Sequence, residues 1–74
     1  MINTGPEERK AFKEFYTAFQ EIEGKKPVEY EDVLRLLNLL HNYLQVPDRS
    51  LDTQTNLFTE YDRVWKKYWE QNNS

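Results

Sequence analysis

Catalysis and metal binding call for nucleophiles, bases, ligating side chains or a phosphate cradle, and these 74 residues hold few of them. With no cysteine, thiolate chemistry, disulfides and sulfur-ligated zinc are excluded. His41 is the single imidazole. It could act as a general base or a pH-sensitive switch. A nucleophilic site also needs a nucleophile and a group that orients the base. His41 falls at the edge of an apolar helical arc, between Tyr30 and Leu34 around the helix, where a partly exposed bystander is the plainer reading. Carboxylates are concentrated in EIEGKKPVEYED, residues 21–32. Paired carboxylates can do acid–base work, but this spacing lacks the alternating oxygen ligands and the turn glycine of a calcium loop. Gly5 and Gly24 are the only glycines, so no glycine-rich turn can hold a phosphate or a dinucleotide. The expectation is therefore no enzymatic activity, no catalytic residue, no metal, no cofactor and no small-molecule ligand.

Charge narrows the classes of partner. Ten basic and 13 acidic residues give a net charge of −3. Nucleic-acid binding draws most of its affinity from lysines and arginines gathered on one face. The nearest approach to such a face is Arg63, Lys66 and Lys67, with Trp65 or Trp69 placed to stack on bases. Glu60, Asp62 and Glu70 interrupt it, and a solvated helix face accounts for these cations more simply. Met1 leads into a polar stretch, and no apolar run approaches the ~20 residues that span a bilayer. A cytoplasmic location and no membrane association are expected.

The elements that must position these groups are helical. Thr4-Gly5-Pro6-Glu7 has capping-box spacing, with Pro6 in the first turn, where its missing N–H costs nothing. Ala11, Phe12, Phe15, Tyr16, Ala18, Phe19 and Ile22 then recur at helical spacing. Gly24 is expected to end this helix in the left-handed conformation. After Pro27 and Val28, the carboxylates of Glu29, Glu31 and Asp32 complement the N-terminus of a second helix that ends before Pro47. Pro47-Asp48-Arg49-Ser50 reads as a turn, with Ser50 or Asp52 as the next N-cap. Leu57, Phe58, Tyr61, Val64, Trp65, Tyr68 and Trp69 form an i, i+3, i+4, i+7 series, and Asp62 and Lys66 are spaced for an i, i+4 ion pair. Helices of about 6–23, 29–45 and 51–71, joined by short connections, predict one all-α domain over 1–74. Its architecture is a compact up-down-up three-helix bundle, with 1–3 and 72–74 as frayed tails.

The central helix carries the functional expectation. Val33, Leu34, Leu36, Leu37, Leu39, Leu40, Tyr43, Leu44 and Tyr30 cover an arc of about 220°, roughly twice the stripe that a surface helix needs. Two neighbouring helices hide only part of it. An exposed remainder would lie by Leu36, Leu39 and Tyr43 on one edge, or by Leu34 and His41 on the other. Leu36-Leu37-Asn38-Leu39-Leu40 also contains an L-x-x-L-L pattern of the kind that docks in grooves. Trp69 is either a clasp over the bundle's end or an anchor for a partner, whereas Trp65 is expected in the core. The reading is a small acidic regulatory or adaptor protein acting by protein contact, as an inhibitor of a larger machine or as a homodimer. Leu36, Leu39, Tyr43 and Trp69 would supply apolar contact, and Glu29, Glu31 and Asp32 an orienting rim. The alternative is a nucleic-acid-binding module using Arg63, Lys66 and Lys67.

Overall fold

A computed structural model describes residues 6–47 and 50–73. Three helices follow in order: α1 over Pro6–Glu23, α2 over Tyr30–Leu44 and α3 over Leu51–Asn72, each in contact with the other two. Glu8, Arg9 and Phe12 of α1 line one depression with Tyr43 of α2 and Thr53 of α3. At the opposite end, Lys67 of α3 reaches Glu23, and Gln71 reaches Val28 just ahead of α2. The helices therefore run up, down and up, as the short connections require.

Each helix buries one stripe into a common core. On α1 the spacing Ala11, Phe15, Ala18, Phe19, Ile22 sets five side chains on one face, and α2 contributes Val33, Leu36, Leu40 and Tyr43. The longest helix gives least: only Leu57 and Val64 of α3 are fully buried, with Tyr61 and Tyr68 packed partly against the cluster. Val28, in the first connection, completes the core at 2% exposure. It is held there by Gln71, whose Oε1 accepts from the Val28 N–H at 3.2 Å and whose Nε2 donates to the Val28 carbonyl at 3.1 Å.

The helix ends differ from expectation in two places. Thr4, proposed to cap α1, lies outside the described residues. At Gly24 the helix stops as predicted, but no described glycine has positive φ. The Gly24 N–H instead continues to the Gln20 carbonyl at 3.4 Å, and Lys25 N–H turns back to Ile22 at 3.0 Å. The Lys26–Pro27 peptide that follows is cis. The helix's terminal carbonyls are served from α3: Lys67 Nζ donates to the carbonyls of Glu23 at 2.7 Å and Lys25 at 3.4 Å. Ser50 caps α3, its hydroxyl accepting from Thr53 N–H at 3.1 Å. Asn72 and Asn73, expected to fray, bond back through their side-chain amides to the carbonyls of Tyr68 at 2.9 Å and Trp69 at 3.0 Å.

Candidate functional site: an aromatic face on the second and third helices

The proposed contact residues of the central helix divide sharply. Leu36 and Tyr43 are at 0% exposure and offer no surface, and Leu39 is half-buried against the core. The cause is the placement of α1. It runs along that edge of α2, so that Leu39 sits beside Lys13, Glu14 and Thr17, and Arg35 pairs with Glu21 at 3.3 Å. The opposite edge of α2 stays open, with Tyr30, Leu34 and His41 all exposed.

The proposed acidic rim is also partly consumed. Asp32 is buried at the N-terminus of α2, accepting from the Glu29 N–H at 2.9 Å and from Lys25 Nζ at 3.1 Å. Burial alone would push its carboxyl up. The Glu29 N–H, the Lys25 ammonium and the charge of Arg35 outweigh that and hold it below the ordinary value. Lys25 is raised in turn, chiefly by its bond to Asp32 against some desolvation. Glu29 also lies 3.7 Å from Lys25, and Glu31 remains exposed. Asp32 thus ties the first connection to α2 and is not a rim residue. Lys25 was not foreseen in this role, because seven residues separate it from Asp32 across a turn.

Two of the three cations proposed for nucleic acid are engaged with the end of α1 at the bundle surface. Arg63 Nη2 meets Glu23 Oε2 at 2.6 Å, and its guanidinium lies 5.4 Å from the centre of the Phe19 ring. Lys67 is bound to the α1 terminus. Of the three, Lys66 is exposed and has no ion pair among the described residues, where the expected Asp62–Lys66 pair does not form. Among the described residues, no three His, Cys, Asp or Glu side chains come together as a metal cluster.

The open apolar surface lies mostly on α3. Trp65, expected in the core, is 37% exposed; Trp69 is 57%, Phe58 44%, Tyr30 51% and Leu34 39% exposed. Phe58, Trp65 and Trp69 share one side of α3 at spacings of seven and four residues, and Leu34 stands one turn beyond Tyr30 on α2. Tyr30, Trp65, Tyr68 and Trp69 form a continuous network of rings. Trp65 lies 5.7 Å from Tyr68, 6.2 Å from Trp69 and 6.5 Å from Tyr30, and Tyr30 lies 5.9 Å from Tyr68. Beneath them, burial pushes the Tyr61 phenol above its ordinary value, with Asp62 and Tyr30 adding to the effect, so the ring stays neutral in ordinary buffers. Asp62 and Lys66 flank Trp65 and Trp69 along the outer side of the ridge, lining an open depression with them.

No family model, curated protein or solved structure matches this chain. Trp69 is exposed, as an anchor would be, and the open edge of α2 is the Leu34–His41 one of the two considered. The exposure of Phe58 and Trp65 was not foreseen, because periodicity alone assigns the inner members of an apolar series to the core. The signal available was the breadth of the α3 series, about 140° in a helix flanked by only two others.

Proposed function

We propose that this chain is a small non-enzymatic protein-binding module whose docking surface is the aromatic face of α2 and α3. Trp65 stands at its centre, with Tyr30, Leu34, Phe58 and Trp69 around it. The observation that carries this reading is the exposure of two tryptophans, a phenylalanine and a tyrosine on one side of a 74-residue chain. Contiguous exposed apolar surface marks interaction sites, and Trp and Tyr are the residues that dominate binding energy when covered. No helix among the described residues is long and apolar enough to cross a bilayer.

The test compares the immobilised wild-type chain with a Trp65→Lys/Trp69→Lys variant, after circular dichroism has verified equal helicity. The variant is expected to lose every protein, itself included, that the wild type holds. Retention of those proteins by the folded variant overturns the assignment.

A further inference from the structure

We propose that the occupant of this face is a second copy of the chain, with the two α3 helices antiparallel about a two-fold axis level with Val64, one residue before Trp65. This rests on the docking face just described and adds the identity of its partner. In a two-fold interface the same patch serves both copies, so a residue on one side of the axis meets its counterpart from the other side reciprocally. Asp62 and Lys66 straddle Trp65 on the outer side of its ridge, one turn apart, and neither has an ion-pair partner among the described residues. An antiparallel crossing sets Asp62 of each copy against Lys66 of the other, twice. A parallel crossing would oppose Asp62 to Asp62 and Lys66 to Lys66. The same operation lays Phe58 of one copy near Trp69 of the other, because the two stand at almost equal distances, about 8 Å along the helix, on either side of the crossing.

Size and charge agree with this occupant. Leu51, seven residues before Phe58 and 74% exposed, extends the same side of α3, so the face runs roughly 27 Å along the helix and, across two helices packed about 10 Å apart, is roughly 20 Å wide. Two copies covering it bury on the order of 1,100 Å², just above the ~1,000 Å² expected of a specific interface. Each copy carries a net charge of −3. The ridge Leu51, Phe58, Trp65, Trp69 holds none of that charge, so two acidic chains can meet there without like charges touching.

Sedimentation from about 10 μM to 1 mM tests the assignment, with circular dichroism verifying the fold of each variant. The wild type is expected to dimerise. Asp62→Lys and Lys66→Asp should each weaken the dimer about tenfold, by opposing like charges twice. An equimolar mixture of those two variants should recover it as a heterodimer, and the double variant Asp62→Lys/Lys66→Asp should recover it alone. A monomeric wild type across the range overturns the second-copy assignment and leaves the docking face to the capture experiment. A dimer indifferent to both reversals overturns the antiparallel register. A dimer that survives Trp65→Lys/Trp69→Lys overturns the face and the partner together.

Discussion

A methyl group added at position 24 would stand 4.0 Å from the carbonyl oxygens of Gln20 and Glu21, an ordinary contact distance, and Gly24 does not use positive φ. Gly24→Ala should therefore leave the fold intact and stabilise it by about 0.4–1 kcal/mol, by removing freedom from the unfolded chain. A lower melting temperature would mean that the turn needs glycine after all. Asp32 makes a prediction of opposite kind. Its carboxyl is held below the ordinary value near 3.9, so its contribution is complete above about pH 4 and fades as pH falls through the folded value. The raised Lys25 contributes fully below about pH 10.4 and loses its part only at higher pH. The melting-temperature gap between wild type and Asp32→Asn should thus be flat from about pH 5 to 9 and close below pH 4. A gap that persists unchanged into acid would remove the carboxylate from the account. At this scale the sequence was partly legible. Glycine and acidic residues were placed at the right ends of the right helices, but their partners come from across a turn or from another helix, and one-dimensional spacing does not record that.

Among the elements, α3 holds the main lesson. Its apolar series was legible, and so was its start at Ser50. Which members of the series face inward depends on where α1 and α2 stand, and that is a property of the packed bundle. Two neighbours cover Leu57 and Val64 and leave Phe58, Trp65 and Trp69 at the margin. On α2 the excess of apolar arc is real, but α1 covers the Leu36–Tyr43 edge and leaves the Tyr30–Leu34 edge open. Substitutions should follow burial and not ring size. Phe15→Ala, at a site of 0% exposure, should cost about 3–5 kcal/mol, comparable with the whole stability of a domain this small, and abolish cooperative melting. Trp69→Ala, at 57% exposure, should leave a cooperative transition within a few degrees of wild type. If Trp69→Ala unfolds the chain, that ring is a clasp and not a free anchor.

For the molecule as a whole, the three-helix architecture followed from periodicity and from connections too short for any other path. The proposed docking face did not follow, because it is made by two helices jointly and belongs to neither pattern alone. Association through it would link stability to concentration. The wild-type melting temperature should rise as the chain is concentrated across its dissociation constant, since the partner binds only the folded form. Trp65→Lys/Trp69→Lys should melt at one temperature throughout. Equal, concentration-independent curves would argue that the face stays uncovered.

Gln71 grips Val28 through both its donor and its acceptor, while Lys67 holds the end of α1 four residues earlier. The final turn of the third helix is consequently a latch on the hinge between the first two. Trimming the chain ahead of Gln71 would release a valine that the interior needs and loosen all three rods at one end, whereas the same number of residues added beyond Asn73 would disturb nothing. Proteolysis from that terminus should therefore halt at the latch until the bundle opens.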